Sequence, residues 1–242
     1  MEQQNFPQFY KKPVILNKDE HAGLTLAPSP TGLSFAAQAQ TVLLATVELF
    51  DACREFPVIF TRAQSGAIVP LALLGLEAGE NLFVEADGRW HGSYIPAYIR
   101  RYPFITTDGS DGQQSVCFDE DFDGWNSEDG RPLFADGEPT PQLQEILALI
   151  EDYQRQMQAT EEFGAILANA GLLKQIDAQA SLVDGRTYTL TGMLVVDEQK
   201  LTQLPDVDIV KLFRIGMMAL INAHLLSLRN LNRLIERKAS RP

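Results

Sequence analysis

The 242-residue chain is poor in the residues that usually announce chemistry: it holds two cysteines and three histidines. Cys53 and Cys117 form no CxxC pair, which argues against a disulfide framework and fits a reducing compartment. His21, His91 and His224 lie far apart, without metal-ligand spacing. No GxSxG, Walker or GxGxxG motif occurs. No uninterrupted apolar run is long enough to cross a membrane; the best candidate, 209–228, is broken by Lys211 and Arg214. The opening MEQQNFPQFYKK has no apolar core, so no secretory signal is expected. Positive charge is scarce too. Twenty Lys and Arg face 32 Asp and Glu, for a net charge of −12, which excludes a cationic footprint for nucleic acid. Together these absences predict a cytoplasmic protein without a cofactor and without a membrane span.

Hydrophobic residues make up 45% of the chain, ordinary for a globular fold. Short apolar runs separated by Gly, Pro and Asp predict strands near 14–16, 24–26, 42–45, 58–60, 69–74 and 82–84. The Asp87-Gly88 turn predicts a hairpin of 82–85 with 90–94. A short helical pattern covers 46–54. Residues 108–138 hold ten acids against one cation, Arg131, and read as a surface excursion. Thr140-Pro141 is a helix start, a hydroxyl cap followed by a proline at the first turn. Thr160 reads as the cap of a second helix, and Gly171 as its stop. A hairpin is expected over about 176–196 around Asp184-Gly185. The longest helix is expected from Asp206 or Asp208 to about Lys238, with one seam through Val210, Phe213, Met217, His224 and Leu231. The predicted class is α+β: a mostly antiparallel β part over 1–107, the acidic excursion, and a helical part with a small hairpin over 139–242, in one integrated domain.

Residues 74–104 concentrate the candidate site. If 90–94 is a strand, Trp90, Gly92 and Tyr94 share a face and form a stacking platform, or else pack beneath a helix. Arg100, Arg101 and Tyr102 could clamp a carboxylate or phosphate between aromatic walls. The structural alternative has one arginine tying down the acidic stretch while Tyr102 and Phe104 fill the core. Asp119, Asp121 and Asp123 match the first half of a calcium loop, but position twelve is Gly130 rather than a glutamate, and a solvated loop is the simpler reading. His224 on an apolar seam reads as a core histidine. The cations Arg229, Arg233, Arg237, Lys238 and Arg241 could complement the acidic stretch, within the chain or across a homodimer.

Tyr94-Ile95-Pro96-Ala97 followed by Arg100-Arg101-Tyr102-Pro103-Phe104 resembles the signature of the SapC family. Glu48-Leu49-Phe50, Phe56 to Phe60, Gly75-Leu76 with Asn81-Leu82-Phe83, Gly88 and Trp90 resemble the rest of it. The resemblance covers roughly residues 10–235 and departs from the pattern at Thr41-Val42-Leu43-Leu44. It implies an accessory role beside TonB-dependent receptors and halogenase-like or cupin-like proteins, and not the peptide-transport permease of the same name. The expected function is therefore a non-catalytic binding protein that recognises a peptide segment or an anionic small ligand through Trp90, Tyr94, Arg100, Arg101 and Tyr102. Two alternatives stand beside it: an enzyme acting on a peptide or carbohydrate with converging Asp, Glu, Tyr and His groups, and a surface-layer component.

Overall fold

The computed structural model describes residues 7–108 and 114–241. Its strands in chain order are β1 (Pro13–Ile15), β2 (Thr25–Leu26), β3 (Thr41–Leu43), β4 (Val58–Arg62), β5 (Ile68–Leu73) and β6 (Phe104–Asp108). They continue with β7 (Gln114–Asp119), β8 (Arg131–Pro132), β9 (Phe134–Ala135), β10 (Glu138–Pro139), β11 (Leu173–Ser181) and β12 (Thr187–Val196). The helices are α1 (Leu49–Ala52), α2 (Ala97–Arg100), α3 (Pro141–Asn169), α4 (Glu198–Thr202), α5 (Asp206–Arg214), α6 (Met217–Ser227) and α7 (Asn230–Ser240). The class is α+β. All pairings are antiparallel, in a five-stranded sheet of order β11-β12-β4-β5-β3, a three-stranded sheet β1-β7-β6 and two short ribbons.

The β11–β12 hairpin turns at Asp184-Gly185, where Gly185 takes φ +90, a left-handed value that costs glycine little. Its register slips between Ile176 and Ala178, and the Asp177 carboxylate accepts the Gly192 amide at 2.8 Å. Leu194 then pairs with Phe60, so this hairpin completes the sheet begun by β3, β4 and β5. The helix begun at Thr140 is capped as its sequence demands, by the Thr140 hydroxyl accepting the Leu143 amide. It does not stop at Thr160, however, and α3 runs unbroken for 29 residues. The Thr160 hydroxyl donates back to the Gln156 carbonyl and accepts the Thr46 amide at 2.8 Å, a tertiary contact in place of a cap. Gly164 lets α3 cross β5 closely; a Cβ there would stand 1.9 Å from the Ile68 carbonyl oxygen.

Three further expectations change. Residues 114–119 of the acidic stretch are β7, the central strand of its sheet, with Cys117, Phe118 and Asp119 buried; 109–113 lie outside the described residues. The 82–94 hairpin reduces to one bridge, Val84 with Trp90, around the Gly88 turn. The single long C-terminal helix is α5, α6 and α7, because Gly216 at φ +78 turns the chain by 91°. Val210 and Phe213, expected in the seam, are exposed as a result. Among the described residues no single helix is long and apolar enough to cross a membrane.

Among the described residues, the cations of α7 do not meet the acidic stretch. Arg233 donates to the Arg54 carbonyl, Arg237 lies 4.2 Å over the Phe83 ring, and Lys238 binds Glu77 and Glu80. Just past the helix, Arg241 donates to the carbonyls of Asn81, Leu82 and Val84. Burial works against the Lys238 ammonium, but the two carboxylates outweigh it and its pKa is raised. The helix therefore clamps the 77–91 loop.

His224 is fully buried and accepts the Val196 amide at 3.1 Å through Nε2. Burial lowers its pKa from 6.5 to about 4. Above pH 6.5 the imidazole is neutral folded and unfolded, and it adds no pH dependence. Between pH 6.5 and about 4 only the unfolded chain takes up the proton, so stability falls with pH, by roughly 3 kcal/mol in all. Urea unfolding at pH 7 and near pH 4.5 should show His224→Gln losing less on acidification than the parent. Equal losses would remove His224 from the acid response.

Candidate functional site

Residues 91–103, which carry most of the aromatic and arginine candidates, form no strand. Ala97 to Arg100 are one turn of helix, followed by a bend with a cis Tyr102-Pro103 peptide. Trp90, Tyr94 and Arg100 stay together, with the Arg100 guanidinium 5.9 Å from the Tyr94 ring centroid, while Arg101 and Tyr102 turn elsewhere. Trp90 is half-buried; its ring stacks on Phe83 at 5.5 Å between centroids and its Nε1 donates to the Tyr94 carbonyl at 2.8 Å. The Tyr94 hydroxyl donates to Glu48 at 2.7 Å, and Arg100 is exposed with Nε donating to the Ile95 carbonyl. The Arg101 guanidinium sits between two rings, 4.2 Å from the Tyr98 centroid and 4.6 Å from that of Tyr153. A guanidinium between aromatic faces is held by cation–π attraction. Neither Trp90 nor Arg101 lines the clefts at Tyr102.

Tyr102 points elsewhere. Its ring stacks on Phe35, with centroids 4.2 Å apart and planes 29° apart, and meets Phe9 and Phe122 edge-on at 6.4 and 5.6 Å. This pair is a common wall of two clefts. One, of about 460 Å³, adds Phe9, Lys11, Ser29, Thr31, Asp121 and Asp123; the other, of about 470 Å³, adds Arg100, Asp129, Arg131 and Gln142. The Thr31 hydroxyl donates to Asp123 at 2.6 Å, closing one rim. Phe9 takes φ +82, a left-handed conformation that strains a side chain bearing a Cβ.

Asp119 holds this arrangement in place. It is fully buried at the end of β7. Its two oxygens accept the Lys11 and Lys12 amides at 3.0 and 2.8 Å, the Tyr102 hydroxyl at 3.0 Å and the Asp121 amide at 3.3 Å. One carboxylate thus joins the N-terminal segment, the Tyr102 bend and the loop carrying Phe122. Burial, then the Asp119 charge, raises the Tyr102 pKa, keeping the phenol a donor. The calcium-loop reading of Asp119, Asp121 and Asp123 ends here, since Asp119 spends its lone pairs on internal donors. No three His, Cys, Asp or Glu among the described residues are grouped to hold a metal ion.

The SapC family model matches residues 16–234. The chain belongs to the SapC family. Comparison with curated proteins and with solved structures returns no match.

In this SapC chain the signature residues mostly build a frame. Gly88 takes φ +80 where a Cβ would lie 1.9 Å from the Thr31 carbonyl oxygen, so the Trp90 turn packs directly on the loop that rims the cleft. Buried Glu48 accepts the Ala45 and Ala97 amides and the Tyr94 hydroxyl, each at 2.7 Å. It anchors the first turn of α2 to the segment before α1. Of the sequence candidates, Tyr102 lines both clefts and Arg100 one of them; Trp90, Tyr94 and Arg101 line neither. Phe9, Phe35 and Phe122 were missed because no local pattern connects three phenylalanines so far apart in the chain.

Proposed function

We propose that this SapC-family chain is a non-catalytic binding protein that takes an extended peptide segment across the Phe35–Tyr102 wall. The observation that carries it is that one stacked aromatic pair serves two adjoining clefts of similar size. Successive side chains of an extended segment alternate in direction, and a central ridge separates two such subsites. Aromatic walls offer large contact area with little loss of rotamer freedom. Asp121 and Asp123 complement a basic side chain in one cleft; Arg100 and Arg131 complement an acidic one in the other. The strained Phe9 supports the reading, because such conformations gather at ligand sites. So does the placement of ionisable groups. The cleft-lining Asp121, Asp123 and Asp129 are exposed, and the buried Asp119 behind Tyr102 has its oxygens taken up by internal donors, which favours recognition over acid–base chemistry.

Peptides selected from a random displayed library against the full chain provide the test. Fluorescence anisotropy should show Phe35→Ala and Phe122→Ala each weakening a selected peptide about tenfold or more, as for aromatic anchors at interface centres. Trp90→Phe should leave affinity unchanged. A library that yields no binder, or binders indifferent to both phenylalanines, would reject this role.

A further inference from the structure

Helix α5 is barely attached to the body of the protein. Leu212 is its one buried residue, and Ile209 is half-buried. Val207 and Phe213 are 73% and 74% exposed, and Val210 and Ile215 46% and 48%. Isolated apolar side chains at a surface are ordinary, but three on one short, loosely held helix and a fourth at its C-terminal cap are an unfinished face. Helical spacing sets Val207, Val210 and Arg214 on a single stripe, flanked by Phe213 and by Lys211. The same stripe lines a groove of about 470 Å³ whose walls are Asp206, Val207, Val210, Lys211, Arg214 and Ile215.

The charges on this stripe are ordered. Asp206 opens the stripe, Lys211 and Arg214 close it, and Val210 stands midway between Asp206 and Arg214. Asp206 and Arg214 are eight residues apart, about 12 Å along the axis. A face with acid at one end, base at the other and an apolar centre is complementary to itself when two copies run antiparallel. A two-fold axis through Val210 sets Asp206 of each copy against Arg214 of the other, Val210 against Val210, and Val207 beside Phe213 of the mate. We propose that α5 is an isologous dimer contact whose occupant is a second copy of this chain. An anionic lipid surface fits less well, since Asp206 shares the face and the chain carries a net charge of −12. An acidic peptide meets the same objection. One short helix is a small contact, so the dimer belongs to the weak, reversible class.

Sedimentation velocity of the full chain over a concentration series up to about 300 µM should show a monomer–dimer equilibrium. Val210→Asp should raise the dissociation constant about tenfold or more, with unchanged circular dichroism, because the side chain is on the surface. Asp206→Arg or Arg214→Asp alone should also weaken the dimer. The double variant Asp206→Arg/Arg214→Asp should recover most of the loss, because the swapped charges meet again across the axis. Rescue of this kind is a signature that only a second copy supplies. A chain that stays monomeric throughout the series overturns the proposal. So does a dimer indifferent to Val210→Asp, or a monomer captured through α5 by vesicles of equal parts phosphatidylcholine and phosphatidylglycerol. The peptide test at the Phe35–Tyr102 wall is unaffected by any of these results, since the two faces share no residue.

Discussion

Asp119→Ala is expected to cost about 3–5 kcal/mol of folding stability, the range for deleting one partner from a buried charged network. The carboxylate is the common acceptor for two backbone amides of the N-terminal segment, the Asp121 amide and the Tyr102 hydroxyl. Alanine leaves those donors facing a space that water fills poorly. The Lys11 and Lys12 partners lie more than 100 positions away in sequence, so the segment leading into β1 loses its side-chain tie to the end of β7, while the β1–β7 ladder itself remains. Asp119→Asn keeps one acceptor oxygen but turns an amide against N–H donors, and should lose roughly half as much. Urea unfolding at neutral pH reads both. A loss below about 1 kcal/mol for alanine would show that the donors find other partners. Because the Tyr102 ring would no longer be oriented, Asp119→Asn should also weaken peptide binding in a chain that still folds.

Glu48→Ala is expected to be of similar size, about 3–5 kcal/mol, for the same reason in a different place. Oε2 reaches back to the Ala45 amide, as the glutamate of a capping box does, although Ala45 has no side-chain oxygen to return the bond. Oε1 takes the Ala97 amide and the Tyr94 hydroxyl. Three short charge-assisted bonds converge on a residue only 4% exposed. Burial first, and then this carboxylate, raises the Tyr94 pKa, so the phenol remains protonated and donating throughout the neutral range. Glu48→Gln should retain part of the stability. If urea midpoints of the parent and Glu48→Ala coincide, the network is not what holds α2 against the sheet.

What could be read from the chain followed the range of the force involved. The Thr140 cap, the Asp184-Gly185 hairpin and the Gly88 and Gly171 turns depend on hydrogen bonds and backbone angles spanning a few residues, and each stands where local chemistry places it. Thr160 has equally good cap chemistry and is no cap, because Thr46, 114 positions away, supplies a better use for its hydroxyl. The seam from Val210 to Leu231 is periodic on paper across Gly216, and periodicity carries no information about the turn that a left-handed glycine inserts. The block at 90–102 is rich in aromatics, which suits a strand. Packing of Tyr98 and Ile99 into the core selects a helical turn there instead.

The chain alone determined its family membership, its α+β class and the positions of its main hairpin and of the start of its longest helix, since these rest on near-neighbour sequence. Only the tertiary structure decided which side chains meet. Tyr102 reaches Phe35 and Asp119, Arg101 enters a box of tyrosines, and the α7 cations close over the 77–91 loop. The partners in these contacts are separated by 3 to 161 positions, and most of them become neighbours only after strands pair and α3 crosses the sheet. No pattern of residues along the chain encodes that proximity by itself; burial of the shared core does.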